Sequence, residues 1–375
     1  MALTGVFPKP GESVPSGPLT LCRCKECGLV QLGENYNPDL LYGETYGYRS
    51  GLNPSMVEHL TEILVYINEK RGHKVYDNDS WLDIGSNDGT LLSELPSGFR
   101  MVGVDPLADK FAQHYPRGAQ FIPAAFHKDQ FSSNEKFKVI TSIAMFYDLE
   151  EPVQFAHDIY DILDDDGVWY TEQAYLPAMI YNNAYDSICH EHLSYYRLQD
   201  IANIAAMAGF YILDVRFNDV NGGSFGVLLG KKGKQWGMLQ DTLEIERGMR
   251  LDHLIGVIKD HPKQVQTLLG ELEGRNIFGY GASTKGNVVL QHCGVTHEQV
   301  HVILDANEEK EGRVTPGTNI PICYDEGRDD PSLAPLPEYL LVLPWHFREF
   351  ILEKEKAARN AGVKFIFLLP ELEIV

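Results

Sequence analysis

The sequence predicts an α/β protein made of two open sheets of alternating strand and helix, preceded by a small cysteine-containing lobe. Three observations carry that reading. From about residue 76 onward, short apolar strands alternate with helix-compatible stretches. Two of these strands run into glycine turns, at Gly85 and at Gly279 to Gly281, and after each the next strand ends in an acid, Asp105 and Asp305. Three of the six cysteines fall between residues 22 and 27, ahead of both alternating regions.

A chain of 375 residues is too long for one comfortable core, so several domains are expected. The residues divide into an N-terminal lobe over 1–75, a first alternating domain over 76–235 and a second over 236–375. A hydrophobic content of 44% with 23% charged residues is that of a folded soluble chain. No apolar run approaches the roughly 20 residues that span a bilayer, and no basic-then-apolar leader opens the chain. A formal charge of −21 excludes nonspecific nucleic-acid binding, which needs a basic surface, but not a small anion held by local cations. Six scattered or locally clustered cysteines are not a disulfide framework, and the cytoplasm is the expected compartment. Oligomeric state is not legible at this level.

Up to Pro18 the chain is dense in Gly and Pro, and it then reads Leu21-Cys-Arg-Cys-Lys-Glu-Cys-Gly28. Cys24 and Cys27 have the spacing of half a zinc knuckle, whereas a closed structural site takes four ligands. Reduced cysteines on a small β-element are therefore expected, with zinc only if further ligands complete the set. Tyr36, Tyr42, Tyr46 and Tyr48 follow at spacings that fit neither a helix nor a strand. Such a loop either packs between domains or presents hydroxyls to a polar ligand. Met56, Leu60, Ile63, Leu64 and Ile67 then recur with helical period, predicting a helix from Pro54 to about Lys70.

In the first alternating domain, Trp81 to Ile84 reads as a buried strand, and Gly85 and Gly89 frame a tight turn into a helix beginning at Thr90. Met101 to Val104 is the next strand, and a helix is expected over Leu107 to His114. Phe121-Ile122 and Phe137 to Ala144 are further strands, the latter ending in Met145-Phe-Tyr-Asp148. Pro152 opens a helix, Asp164 to Gly167 is a turn, and Val168 to Thr171 is a fifth strand. Tyr185 to Tyr196 is the densest polar stretch of the chain. Strand character returns at Tyr211 to Arg216, and Asn221-Gly-Gly-Ser-Phe225 turns into Gly226 to Leu229.

In the second domain, one polar helix is expected over Met238 to Lys259. Arg275 to Gly286 repeats the strand, glycine turn and helix theme, with later strands at Val300 to Asp305, Tyr339 to Leu343 and Lys364 to Leu369.

The chemistry concentrates in three places. A glycine turn at the carboxyl end of a parallel strand lets a ligand approach the backbone, and an acid at the end of the next strand can accept bonds from both ribose hydroxyls. The turn here, D-x-G-x-N-x-G, lacks the phosphate-binding glycine spacing. It offers the carboxylates Asp83 and Asp88, which suit a ligand carrying positive charge. Gly85, Asn87, Gly89 and Asp105, with Ala144 and Met145 on the neighbouring strand end, complete the candidate cofactor site. The whole pattern resembles the class I S-adenosylmethionine-dependent methyltransferases.

The second place is His190-Glu-His192. A zinc pair on a helix needs HExxH; in an extended chain this spacing puts both histidines on one side and Glu191 on the other. The alternatives are a metal site completed from Asp186 and Cys189, a structural histidine pair, or acid–base work by an imidazole that titrates near neutrality. The third place is Ser283-Thr-Lys285 at the second glycine turn, where helix amides and a lysine make a candidate anion site. Tyr196 and Asn221 join the candidate substrate residues.

Six motifs, CxxCGLVQL, LYxxxYxYRS, DIGSNDGTLL, HEHLSYY, GYGASTKGN and LPWHF, together resemble the nucleotide-sugar C-methyltransferases almost end to end. That resemblance implies a zinc-binding lobe, a central S-adenosylmethionine domain, and a C-terminal Rossmann-like domain that helps hold a nucleotide sugar. It further implies methyl transfer to a carbon beside the ketone of a 4-keto-deoxysugar, through an enolate. His192 is then the expected base, with Glu191 positioning it or the sugar. Tyr46 and Tyr48 resemble loop tyrosines that approach the sugar, Asp105 the ribose ligand, and Gly85 with Asn87 the turn around the methionine part. Lys285 and Ser283 are the expected phosphate ligands.

Three departures from the family pattern stand out. The first CxxC pair of the zinc lobe would lie upstream of Ala2 to Pro8; Cys189 replaces a tyrosine; and Asp148 replaces a histidine. Methylation of a sugar oxygen, NAD-dependent oxidoreduction at the second glycine turn, and non-catalytic sugar-nucleotide binding are the competing readings.

Overall fold

Strands buried on both faces need an unbroken apolar run rather than alternation, and Ser80–Ile84 is enclosed at every position. In the computed structural model, which describes residues 1–42, 48–71, 79–325 and 337–375, this strand sits near the middle of a seven-stranded sheet. The order is Gln120–Ile122, Arg100–Val104, Ser80–Ile84, Phe137–Ile143, Leu163–Ala174, Ser224–Gly230 and Tyr211–Asn218. All neighbours are parallel except Ser224–Gly230, which runs antiparallel to both strands beside it. The reversal at Ser80–Ile84, from which the chain steps first to one side and then to the other, opens a crevice at the carboxyl edge.

A second sheet takes the order Ile322–Tyr324, Ile303–Asp305, Ile277–Tyr280, Tyr339–Val342, Lys364–Phe367 and Glu373–Ile374, parallel but for the last strand. Two α/β sheets are therefore present, as the alternation predicts. The cysteine lobe does not close its own sheet. Leu21–Arg23 and Val30–Leu32 pair antiparallel, and the third strand, Ser194–Tyr195, comes from the HEH segment.

Helix Pro54–Lys70 forms as its periodicity requires, capped by Asn53, whose side chain accepts the Ser55 N–H. Three expectations change. Leu107 to His114 is a series of turns ending in the 3-10 segment Ala112–His114, because Pro116 leaves too few residues to offset helix nucleation. The single helix over Met238 to Lys259 is two, Leu239–Arg247 and Asp252–Glu271, separated at Gly248. Asp164 to Gly167 lies inside the strand Leu163–Ala174: Phe137 pairs with Leu163 and Val139 with Val168, so residues 164–167 bow out of register.

The first eight residues lie along the second sheet's unit. Ala2 N–H donates to Gln291 Oε1 at 2.8 Å, Asn287 Nδ2 donates to the Thr4 carbonyl at 2.7 Å, and Val314 N–H donates to the Pro8 carbonyl at 2.9 Å. Leu3 and Phe7 are buried there, each contributing about 1.5–3 kcal/mol of apolar burial. Phe7, Val30, Leu32, Leu176 and Tyr195 share one apolar cluster with the core of the second sheet. This shared cluster fixes the units against each other around the HEH segment. Among the described residues no helix is long and apolar enough to cross a membrane.

Candidate active site

The glycine turn is built by its two neighbours. Gly85, at φ 75°, donates its N–H to the Val104 carbonyl at 2.8 Å, and Asn87, at φ 48°, donates its N–H to Asp105 Oδ2 at 2.9 Å. Asp105 Oδ1 accepts the Leu107 N–H at 2.7 Å. A side chain at Gly85 would place its Cβ 2.8 Å from Met145 Cγ, so glycine keeps the approach between the two strand ends open. Ala144, at φ 53°, turns the chain there, with its N–H on the Glu172 carbonyl.

Asp83 is buried and accepts the Thr141 hydroxyl at 2.7 Å; burial, reinforced by the charge of Asp105, pushes its carboxyl up to about 7. Burial also raises Asp105, against the opposing bonds from Leu107 and Asn87. Asp83 feels the charge of Asp105 and Asp105 that of Asp88, so a cationic ligand suits this acidic turn, and the sulfonium and ammonium of S-adenosylmethionine supply that charge. The residues present fit this group.

The side chains of Asn87 and Asp88 bond to the segment 48–51. Asn87 Oδ1 accepts the Ser50 N–H at 3.0 Å, and its Nδ2 donates to the Tyr48 carbonyl at 3.2 Å. Asp88 accepts the Gly51 N–H at 3.2 Å and the Thr90 hydroxyl at 2.5 Å, with Arg49 Nε 3.4 Å away. The pair thus staples residues 48–51 to the turn, and Tyr48 itself is half-exposed. Tyr46 lies outside the described residues. Gly89 caps helix Thr90–Ser93 in a left-handed conformation and abuts Tyr115, whose hydroxyl donates to the Asn87 carbonyl at 3.0 Å. Sequence reasoning passed over Tyr115, since a lone tyrosine after a turn carries no local signal.

The HEH segment is a turn rather than an extended stretch: His192 N–H returns to the Cys189 carbonyl. Its three side chains therefore diverge instead of alternating. His190 Nε2 faces the Gly17 carbonyl at 3.4 Å and its ring meets Tyr36 edge-on at 4.9 Å, inside the N-terminal lobe. Glu191 faces Thr4, whose hydroxyl reaches Oε2 at 3.4 Å, and its Oε1 is buried without a partner. His192 Nδ1 lies 2.8 Å from the Ser187 carbonyl. A carbonyl only accepts, so Nδ1 carries the proton and Nε2 keeps its lone pair. Tyr147 lies against the ring at 4.2 Å between centroids. Burial and the nearby Lys285 charge push the His192 imidazole down to about 3, so it is neutral at physiological pH.

Around His192 lies a concentration of buried polar atoms that lack partners. They include Asp148 Oδ1, Asp186 Oδ1, Glu191 Oε1, Tyr195 OH and His346 Nδ1. Such groups cost stability unless a ligand or water meets them. Asp148 Oδ2 accepts the Tyr42 hydroxyl at 2.7 Å, and burial with the charge of Glu191 raises its carboxyl well above the usual range. Burial and the charges of Glu191 and Asp148 likewise raise the Cys189 thiol. Tyr196 packs against Phe146 in the central core, and its hydroxyl too lacks a partner.

At the second glycine turn both residues expected at the phosphates have partners within the protein. Ser283 Oγ is the cap of helix Thr284–Cys293, accepting the Gly286 N–H at 2.9 Å. Lys285 turns inward, donating to the Asn221 carbonyl at 2.7 Å, where Asn221 holds φ 56°. At the same turn Lys310 Nζ donates to the Ala282 carbonyl at 2.6 Å and packs over Phe7. Cys24 and Cys27 sit in an exposed turn where backbone N–H groups of Cys27 and Glu26 lower the Cys24 thiol. Among the described residues no cluster of three or more histidine, cysteine or acidic side chains is placed to hold a metal ion.

Residues 55–215 match the methyltransferase domain family, and residues 219–370 match the C-methyltransferase C-terminal domain family. The C-methyltransferase NovU of Streptomyces niveus is 29% identical over 383 residues, covering 96% of this chain and 87% of that protein. Among solved structures, an S-adenosylmethionine-dependent methyltransferase from Clostridium acetobutylicum shows 14% identity and a TM-score of 0.37, over 47% of this chain and 92% of that one. The plantazolicin methyltransferase BpumL in complex with SAH shows 13% identity and a TM-score of 0.39, over 47% and 85%.

Proposed function

Since the chain is an S-adenosylmethionine-dependent methyltransferase of the C-methyltransferase family, we propose that it methylates a carbon beside the ketone of a nucleotide-linked 4-keto-deoxysugar, by way of an enolate. The observation that carries this reading is the state of His192. It is held by Ser187 in the tautomer that leaves Nε2 its lone pair, so that nitrogen can accept a proton from the substrate.

A ketone acidifies the neighbouring C–H. His192 Nε2 removes that proton, and the electron pair passes into the enolate. Glu191, with one buried oxygen unpartnered, holds a sugar hydroxyl beside it, and Asp148 with Tyr42 lines the wall where the family carries a histidine. Asp105 holds the ribose of the methyl donor, and the Gly85 turn with Asp83 and Met145 accommodates its cationic part. Bound there, the donor supplies an electrophilic methyl group. Asn87 and Asp88 act through residues 48–51, fixing Tyr48 beside the turn. Alignment of two bound reactants supplies much of the rate in such a reaction. The nucleotide rests on the second sheet's unit, and the free cysteines agree with a cytoplasmic setting.

The test is solvent exchange. The protein is incubated in heavy water with S-adenosylhomocysteine and thymidine or guanosine diphosphate 4-keto-6-deoxyhexoses, and the sugar protons are followed by NMR. Loss of one signal beside the ketone, abolished by His192→Ala, supports the reading. No exchange with any keto-sugar, together with methylation of a reduced sugar, would assign transfer to oxygen instead.

A further inference from the structure

Lys285 comes from the second sheet's unit, yet its ammonium donates to the Asn221 carbonyl, on a loop of the first, at 2.7 Å. Helix Thr284–Cys293 packs on the 3-10 turn Tyr185–Ser187, the same turn whose Ser187 carbonyl orients His192. From the first turn of that helix Lys285 reaches Asn221, on the loop Val220–Gly222 that enters the antiparallel strand. Trp345 closes the same wall: its Nε1 donates to Asp186 Oδ2 at 2.8 Å, and its ring lies 3.0 Å from where a side chain at Gly222 would begin. Asp186, Cys189, His192 and His346 all feel or shape the Lys285 charge. Asp186 keeps one buried oxygen free, and His346 keeps one buried nitrogen free.

A lone carbonyl acceptor does not use up an ammonium with three donors. The Lys285 charge holds the neighbouring imidazole neutral, and the Asp186 carboxyl offsets the cost of burying the ammonium. The arrangement does suit a reaction in which negative charge appears on an oxygen next to the base. Preorganised cations and donors aimed at such an oxygen are commonly the largest single catalytic contribution.

We propose that Lys285 is a catalytic residue supplied by the second unit, its ammonium donating to the substrate's carbonyl oxygen and stabilising the oxyanion formed as His192 removes the neighbouring proton. This rests on the enolate reading above. The C–H bond breaks, its proton goes to His192 Nε2, its electron pair forms the C=C bond, and the carbonyl π pair moves onto the oxygen beside Lys285. The ammonium keeps its proton throughout. The proposal also gives the two motifs GYGASTKGN and LPWHF a role in the reaction itself, with Trp345 and His346 forming the wall behind the lysine.

The experiment is the heavy-water exchange, run without methyl transfer on wild type, Lys285→Met and Lys285→Arg at saturating thymidine diphosphate 4-keto-6-deoxyglucose. Sugar binding is measured separately by calorimetry. The expected result is an exchange rate about 100-fold lower in Lys285→Met, the scale of a lost oxyanion donor. Sugar affinity should stay within about threefold, and Lys285→Arg should recover part of the rate, since it restores the charge. Lys285→Gln takes the place of the methionine variant if thermal melting shows that the latter does not fold. Wild-type exchange at saturation with affinity lost about tenfold or more would overturn the proposal and assign Lys285 to the phosphates. An unchanged rate with unchanged affinity would overturn it too. Absence of exchange in wild type, by contrast, strikes the enolate reading, and the lysine proposal falls with it.

Discussion

Asp105 and Asp305 hold equivalent places in the two sheets. Each accepts the N–H two residues ahead, of Leu107 at 2.7 Å or Asn307 at 2.8 Å, and an N–H from the neighbouring glycine turn, of Asn87 at 2.9 Å or Ala282 at 2.7 Å. They differ in one respect. Lys310 sits 3.3 Å from Asp305 and fills the turn beside it, whereas Asp105 has no salt-bridge partner among the described residues. One crevice is closed by the chain itself, and the other is left for a ligand.

Asp105→Asn should therefore weaken S-adenosylhomocysteine binding, by about 1.5–3 kcal/mol for a lost charged hydrogen bond, or roughly 10- to 150-fold. Asp305→Asn should leave that affinity unchanged while lowering the melting temperature. Calorimetric titration of both variants with the same ligand separates the two roles.

Asp83, with its carboxyl raised to about 7, predicts that cofactor binding depends on pH. A cationic ligand favours the ionised carboxylate and so lowers its pKa, which means that binding releases a proton when the free group is protonated. Affinity for S-adenosylmethionine should rise as pH increases from about 5.5 to about 7.5 and then level off. Titrations in phosphate and in Tris at pH 6.5 should differ in apparent heat by the buffers' ionisation enthalpies. Asp83→Asn should remove that difference.

His192, held near 3, predicts a flat acid limb. Its neutral form persists as pH falls through the range in which an ordinary histidine, near 6.5, would gain its proton. Exchange at the sugar carbon should thus hold its rate from about pH 8 down to about pH 5 once sugar saturates. A tenfold decline between pH 7 and pH 5 would contradict the burial of this imidazole beside Lys285. His190→Gln should leave the exchange rate alone, because that ring belongs to the lobe, and should cost about 1–3 kcal/mol of stability through its buried contacts.

Gly85→Ala should cost about 1–2 kcal/mol for a side chain at positive φ and should narrow the crevice against Met145. Combining it with Met145→Ala should restore part of the S-adenosylhomocysteine affinity but not the lost stability, since the backbone strain remains. Denaturant melts and calorimetry on the single and double variants check both halves.

Alternation of strand and helix, both glycine turns, the acids that follow them and the concentration of polar residues at Tyr185 to Tyr196 were all readable along the chain. Each depends on neighbours in sequence: strand burial on an apolar run, a turn on glycine at positive φ, a helix on its period. The misread elements were of a different kind. Asp164 to Gly167 has turn composition, yet it bows out within a strand because Phe137 and Val139 on the partner fix the register on either side. His190 and His192 have strand spacing, yet a turn closed onto Cys189 sends one into the lobe and the other to Ser187.

By itself the sequence determined the two α/β units, the methyltransferase turn and the residues with chemistry to offer, because those features are set within a few residues of each other. Only the tertiary structure decided which of them meet. Lys285 reads locally as a phosphate ligand at a helix start, and Asn87 and Asp88 read as cofactor ligands. Packing of the second unit against Tyr185–Ser187 brings the lysine to the Asn221 loop and its helix to the turn that holds His192, and docking of residues 48–51 takes up the side chains of the Gly85 turn. These contacts join residues dozens of positions apart, and they follow from burying a shared apolar core between units, which no local pattern encodes.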